Sequence, residues 1–348
     1  MTNAHGGNIY AHKVRADFSA NINPLGTPKE VTEAAAKACA DCAAYPDPYC
    51  TRLTAALSAH EGLPTERIVC GNGAADLIYR IVHALRPRRA ELTAPAFSEY
   101  GAALGEVGCE TVRRYLSAAE GFELTDRTAE ELGRGQDTDI VFLCSPNNPT
   151  GRVIRPERLK RIAENCRERG VTLVIDECFL GFVRNGEEMS AKRFMSGNVI
   201  VLRAFTKLYA MAGLRLGYAL FGSAELVEKV RGSGQYWSVS TPAQAAGEAA
   251  LRVEGYAERT AEYICAEREY LTEELVKSGF EPFPSDANFV LFRAYSGLAE
   301  QLMEEGIMIR DCGNFEGLTD EYFRIAVRTH EENEMLTQAI KKITSTAP

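Results

Sequence analysis

Lys207 follows an apolar run, Val199 to Leu202, whose aliphatic and β-branched side chains predict a buried strand. Strand ends are where a rigid sheet presents reactive groups. Thr206 sets a hydroxyl beside the amine, and Arg215 adds a fixed cation a short way on. An amine, a hydroxyl and a guanidinium together suit a Schiff base to a phosphorylated aldehyde cofactor. Taken alone, the stretch from Arg203 to Gly217 also fits a solvated loop with scattered charges, so the elements around it must decide.

Those elements repeat one arrangement, an apolar strand that ends in polar or small residues. Ile68-Val69-Cys70 breaks at Gly71 and Gly73 and opens a predicted helix to about Leu85, a start whose backbone amides cradle a phosphate. The phrase G-x-G-x-x-D there lacks the third glycine of the dinucleotide fingerprint. Ala90 to Ala94 ends near Phe97, an aromatic placed either to stack on a planar ring or to fill core. Asp139 to Cys144 leads into Ser145-Pro146-Asn147-Asn148-Pro149-Thr150-Gly151, and Val171 to Ile175 ends in Asp176. The charged amphipathic segment Pro156 to Arg169 lies between them, and this alternation predicts a parallel sheet with ligand groups at its carboxyl edge. From about Ser238 the rhythm changes. A long helical region, Pro242 to Ser278, precedes short strands at Asn288–Arg293, Ile307–Arg310 and Tyr322–Arg328, which predicts a smaller α+β unit. His5 to Tyr10 reads as a flexible arm, and Tyr45-Pro46-Asp47-Pro48 as a rigid turn after a helix over Val31 to Ala43.

The 348 residues give ample surface to bury and suit two domains. Hydrophobic residues make up 45% and charged residues 25%, the proportions of a soluble globular protein. A net charge of −9 argues against nucleic acid or an anionic membrane as the main partner. No apolar run reaches transmembrane length, and the polar Met1 to Tyr10 predicts no signal peptide. The 10 cysteines are scattered through predicted strands and helices, as expected in a reducing cytoplasm. Cys39 and Cys42 have C-x-x-C spacing, but no second pair accompanies them, so no metal site is expected.

In order and spacing, Asn147-Asn148-Pro149-Thr150-Gly151, Asp176, Lys207 and Arg215 resemble the fold-type I pyridoxal-phosphate aminotransferases (class I/II, histidinol-phosphate aminotransferase-like). The resemblance implies an α/β fold: a mostly parallel central sheet with helices on both faces, plus a smaller α+β domain. It divides the chain into a cofactor-binding domain, 31–237, and an N-terminal arm with a small domain, 1–30 and 238–348. It also implies pyridoxal 5'-phosphate as cofactor, with Lys207 forming the Schiff base and Asp176 pairing with the ring nitrogen. A carboxylate there keeps the ring protonated, and a protonated ring accepts electrons released at the substrate. By the same likeness Asn148 bonds the ring oxygen and Phe97 stacks on the ring. Ala74, Ala75, Thr206 and Arg215 form the phosphate cup, and Tyr45 reaches the phosphate of a neighbouring subunit in a homodimer.

Within that family, His5-Gly6-Gly7-Asn8, Ser19 to Gly26, Tyr45-Pro46-Asp47, Gly213 to Tyr218, Arg310 and Arg324 look like the threonine-phosphate decarboxylases of cobalamin biosynthesis. That likeness implies release of CO2 from a small phosphorylated amino acid, L-threonine O-3-phosphate, to give (R)-1-aminopropan-2-ol O-phosphate. His5, Gly6, Asn21, Asn148, Arg310 and Arg324 would then contact substrate. The alternative is an aminotransferase of a phosphorylated substrate such as histidinol phosphate; a catalytically idle sensor of the cofactor is a third reading. Phe179 stands where the wider pattern often has tyrosine, and Ala204 stands in place of a hydroxyl residue. Hydrogen bonding to the ring oxygen then rests on Asn148, and the phosphate cup is thinner.

Overall fold

Seven strands form the central sheet of the computed structural model, which describes residues 5–11 and 13–346. Met1–Ala4, part of the polar N-terminal stretch, lies outside them. Across the sheet the order is Ile68–Gly71, Gly217–Phe221, Val199–Ala204, Thr172–Asp176, Ile140–Cys144, Arg89–Ala94 and Glu110–Tyr115. Gly217–Phe221 runs antiparallel to both of its neighbours, and every other pairing is parallel. The strands ending at Gly71, Ala204, Asp176, Cys144 and Ala94 therefore point the same way. The residues that follow them converge on one edge of the sheet, the usual place for a ligand in an open α/β fold.

Alternation along each strand divides the core in two. Leu143, Leu173, Ile175, Val201 and Leu220 face one side, packed by helices Thr51–Glu61, Pro156–Arg169 and Thr241–Ala250. Phe142, Val174, Ile200, Leu202 and Ala219 face the other, under Gly73–Leu85, Ser98–Glu106 and Ala224–Arg231. The architecture is thus α/β, with helices on both faces of a mostly parallel sheet. Two of its strands are not among those predicted from the sequence. Glu110–Tyr115 is an edge strand with three charged side chains, and Gly217–Phe221 returns directly behind Arg215.

A second sheet has the order Arg310–Asp311, Tyr322–Ala326, Phe289–Arg293 and Glu281–Pro282, all antiparallel. Ala16–Asp17 pairs in parallel with Ile307–Met308 nearby, so the N-terminal segment is bound into this part of the molecule. The long helical region predicted over Pro242 to Ser278 is two helices, Thr241–Ala250 and Tyr256–Lys277. Gly255, at φ 64°, starts the second, a left-handed backbone that glycine adopts without strain. The first packs with the large sheet's core; the second contributes Ile264, Leu271 and Leu275 to the core of the small one. The helix expected over Val31 to Ala43 spans Lys29–Ala38 and ends in a single 3-10 turn, Cys39–Asp41. No helix among the described residues is long and apolar enough to cross a membrane.

Candidate active site

The convergent strand ends enclose a cavity of about 450 Å³. Lys207, Asp176, Asn148, Phe97, Thr206, Arg215, Ala74 and Ala75 all line it, as do His5, Gly6, Asn21, Arg310 and Arg324. Tyr45 does not. It is 77% exposed and stacks on Trp237 with ring centroids 4.3 Å apart.

Lys207 lies in the one-turn helix Phe205–Leu208 that ends the strand Val199–Ala204. Its turn is clamped from the N-terminal segment. Asn23 donates to the Leu208 carbonyl at 2.7 Å, and its backbone N–H donates to the Lys207 carbonyl. Withdrawal from water pushes the Lys207 ammonium down to about 8, with the cations of Arg324 and Arg215 adding to the shift against Cys178 and Asp176. Its Nζ lies 5.9 Å from the centre of the Phe179 ring. An amine in this state is a nucleophile near neutral pH, which an exposed lysine is not.

Asp176 closes its strand on the face opposite Ile175, and two donors fix its carboxylate. Tyr100 O–H donates to Oδ2 at 2.8 Å and the Cys178 N–H to Oδ1 at 3.0 Å. Tyr100 is itself fully enclosed, stacked on Phe142 and set edge-on to Phe97. Burial and the Asp176 charge hold its phenol well above the ordinary tyrosine range, so it stays a donor. This residue was not singled out from the sequence. The signal was available, because a helix beginning at Ser98 puts Tyr100 one turn along from Phe97.

On the other flank, the helix Gly73–Leu85 turns its free amides at Ala74 and Ala75 into the cavity. Gly217 lets the sheet approach them, since a Cβ there would lie 2.6 Å from the Ala74 nitrogen. Arg215 stands opposite with φ 60°, a left-handed conformation that costs a non-glycine residue energy and is concentrated at functional sites. Helix amides, the Thr206 hydroxyl and the Arg215 guanidinium together fit a phosphate. An amine, an anchored carboxylate and an aromatic ring around the same cavity fit a pyridinium aldehyde carrying that phosphate.

The far wall is cationic. Arg310 and Arg324 are directly opposed in the small sheet's ladder, an unfavourable arrangement for like charges. Arg324 donates to the Asn148 side-chain oxygen through Nη1 and to the Ser19 carbonyl through Nη2 at 2.8 Å. Among the described residues its Nε is buried without a hydrogen-bond partner, as is Asn21 Oδ1. Burial lowers Arg324 to about 10. Arg310 donates to the Asp311 carbonyl and to Asn314, beside the Phe315 ring.

The arm read as flexible is tied across this wall. His5 Nε2 lies 2.8 Å from Glu99 Oε1, and the Gly7 N–H donates to Ser19 Oγ at 2.8 Å. A Cβ at Gly6 would collide with the Ser19 carbonyl, so the arm can lie this close only with glycine there.

Beneath the cavity, on the opposite face of the sheet, lies a charge cluster that the sequence reading missed. Arg203 Nη2 lies 3.0 Å from Glu177, and its Nη1 3.1 Å from Glu61 and 2.7 Å from Glu187. Lys192 and the Tyr218 hydroxyl complete the coordination of Glu61 at 2.7 and 2.6 Å. A charged residue inside an otherwise apolar strand was the available signal for Arg203.

The sequence profile of aminotransferase class I and II matches residues 15–343. The chain is 36% identical to a threonine-phosphate decarboxylase of Salmonella typhimurium, an alignment covering 100% of this chain and 99% of that one. It is 34% identical to histidinol-phosphate aminotransferase 2 of Archaeoglobus fulgidus, over 96% of this chain and 94% of the relative. Among solved structures, the histidinol-phosphate aminotransferase from Clostridium acetobutylicum superposes with a TM-score of 0.87 at 30% identity, covering 95% of this chain and 100% of the other.

Proposed function

The chain belongs to the class I and II aminotransferase family, and from that premise we propose a pyridoxal 5'-phosphate-dependent carboxy-lyase acting on L-threonine O-3-phosphate. The observation that carries the reading is the pair of opposed arginines, Arg310 and Arg324, across one cavity from the amine of Lys207. A substrate with both a carboxylate and a phosphate offers two anions to two separated guanidinium forks. The full-length likeness to a threonine-phosphate decarboxylase supports the same choice. The products are CO2 and (R)-1-aminopropan-2-ol O-phosphate, a building block for the nucleotide loop of cobalamin.

When bound, the cofactor supplies an electron sink for the pair left on the α-carbon as CO2 departs. Lys207 would hold it, Phe97 would cover the ring, and Asn148 would reach the ring oxygen. Ala74, Ala75, Thr206 and Arg215 hold its phosphate. Asp176, oriented by Tyr100, would hold a proton on the ring nitrogen. His5, Gly6, Asn21, Asn148, Arg310 and Arg324 would hold substrate and orient its α-carbon. Lys207 Nζ, on the same cavity wall, would be the group to return a proton to that carbon.

Tyr45 belongs to the same proposal as the residue that reaches a neighbouring subunit's phosphate in a homodimer; its exposure beside Trp237 supports this. Inactive Tyr45→Ala and Lys207→Ala chains should restore part of the activity when subunits exchange, and a fully active monomer would exclude shared sites. The proposal also takes 31–237 as one domain and 1–30 with 238–348 as the other, with helix Thr241–Ala250 crossing between them, and places the enzyme in the cytoplasm.

Histidinol-phosphate aminotransfer is the second reading, favoured by the relatives of that name. Holoenzyme given phosphothreonine should release CO2; given histidinol phosphate and 2-oxoglutarate it should form little glutamate. Glutamate without CO2 would exchange the two readings.

A further inference from the structure

Glu99 and Asp176 are the two carboxylates on the wall of the active-site cavity among the described residues, and the proposed chemistry uses Asp176 alone. A carboxylate there is costly on charge, because a wall that takes an anionic substrate is weakened by an anion of its own. Local structure offsets that cost. Glu99 lies in the first turn of the helix Ser98–Glu106, where free amides favour negative charge. Tyr79, in the neighbouring helix Gly73–Leu85, donates its O–H to Glu99 Oε2 at 3.0 Å. His5 Nε2 meets the other oxygen, Oε1, at 2.8 Å. With a partner on each oxygen, Glu99 is placed to hold another group.

The group it holds is the N-terminal arm, which is tied at two points of different character. The Gly7 N–H bonds Ser19 Oγ, which in turn donates to Asp17 Oδ1 at 2.6 Å, and the Ser19 carbonyl accepts from Arg324. Ser19 therefore links the arm to the small sheet. His5 carries the other end across to a helix of the large sheet, to Glu99 and beside the Phe97 ring, 5.8 Å away between centroids. The His5 side chain is 50% exposed and that of Glu99 20%. A charged contact so open to water is weak, which lets the arm lift and return as substrate enters.

We propose that Glu99 is a positioning residue: it holds His5 against the cavity so that the imidazole joins Arg310 and Arg324 in binding an anionic group of the substrate. The inference rests on the anionic substrate of the proposed function. His5 and Arg310 line this cavity together and share the wall of an adjoining one of about 500 Å³, so both face the same space. The partner on Nε2 fixes the orientation of the ring and the role left to Nδ1. Tyr79 acts one step further out, by fixing Glu99.

Steady-state kinetics of the holoenzyme on phosphothreonine test the assignment. Glu99→Ala should raise KM about fivefold and hardly move kcat, the loss expected of a partly exposed contact that serves binding. Glu99→Gln, which can still accept from the ring N–H, should lie between Glu99→Ala and wild type, and Tyr79→Phe should shift KM less in the same direction. In a His5→Ala background, Glu99→Ala should add nothing, because its effect runs through the imidazole. Independent losses from the two substitutions, or a fall in kcat with KM unchanged, overturn the proposal. If histidinol phosphate proves to be the substrate, the proposed function fails but the same comparison applies, since that molecule carries a phosphate too. A second readout needs no substrate. Hydrogen exchange followed by mass spectrometry should show the N-terminal peptide of Glu99→Ala holoenzyme exchanging faster than in wild type, with the sheet peptides unchanged. An arm that exchanges at the wild-type rate in Glu99→Ala overturns the inference whichever substrate is used.

Discussion

Arg203 and Arg324 are both buried, at 9% and 5% exposure, on opposite sides of the same catalytic edge. Arg203 sits among Glu61, Glu177 and Glu187, and those charges hold its guanidinium well above the ordinary arginine range although burial opposes them. Arg324 has an amide oxygen and a backbone carbonyl, and no carboxylate pairs with it among the described residues. The alternation of a strand end divides the two environments. Asp176 points into the cavity, and Glu177, the next residue, points through to Arg203. A buried charge with its counter-ions present contributes to a fixed structure, whereas one without them costs several kcal/mol. The cation left without an anion is the one suited to receive an anion from outside. The lower cluster therefore reads as a foundation, and the upper wall as a receptor.

The largest expected effect is at the amine between these two regions. Lys207→Ala should lower kcat by about 10³-fold or more, since it removes the group proposed to hold cofactor and move the proton. Borohydride should no longer fix cofactor to the chain. Fixation at another lysine would detach the amine from the cationic wall and break the comparison.

Next comes the foundation. Arg203→Ala should cost about 3–5 kcal/mol of stability, because it leaves Glu61 and Glu177 buried without their partner. Urea denaturation reads this as a lower midpoint. Arg324→Ala should leave the midpoint unchanged or raise it, since it removes an uncompensated charge. Equal losses in the two variants would show that both arginines are structural.

A finer test keeps the charge and changes its shape. Arg324→Lys should lower kcat/KM for phosphothreonine by about 10²-fold, because an ammonium cannot reproduce the planar two-point grip. Thermal stability should hardly move. Unchanged kinetics would mean that charge alone, and not the guanidinium fork, recognises substrate.

The receptor was largely legible in the sequence and the foundation was not. Lys207, Asp176 and Asn148 each follow an apolar strand, so strand periodicity alone places them on one edge. The cluster under them joins Glu61 to Arg203, 142 positions apart, and no local pattern announces such a pairing. Tyr100 and Asn23 escaped for the same reason: each acts on a residue far along the chain, Asp176 and the Lys207 turn. The strand Gly217–Phe221 was hidden by its position behind Arg215, where the chain reverses within a few residues and pairs antiparallel. Edge strand Glu110–Tyr115 was obscured by its own charges, which solvent exposure permits. Phe289–Arg293 and Tyr322–Ala326 were read near their observed bounds, but the expected strand Ile307–Arg310 divides between two sheets, Glu281–Pro282 was not read, and the register that opposes Arg310 to Arg324 exists only once the sheet forms.

The smallest expected effect reads the electrostatics of the receptor directly. Burial, Arg324 and Arg215 together bring Lys207 down to about 8 from an ordinary 10.5. For a cation the sign is plain: below pH 8 the amine is mostly protonated and inert as a nucleophile, and above it the neutral form grows. Acetic anhydride labels neutral amines, so competitive labelling of cofactor-free protein across a pH series should give Lys207 a midpoint near 8. Exposed lysines such as Lys29 serve as internal references. Arg324→Gln removes one of the two cations that depress the amine, and its midpoint should move up toward 10.5. The shift should be larger at low salt than at high salt only if solvent screens the pair; in the enclosed cavity it should persist. Arg203→Gln should leave the midpoint where it was, because that guanidinium is already compensated by its carboxylates beneath the sheet. If the two variants move Lys207 equally, the lower cluster reaches the amine as strongly as the upper wall, and the division between them fails.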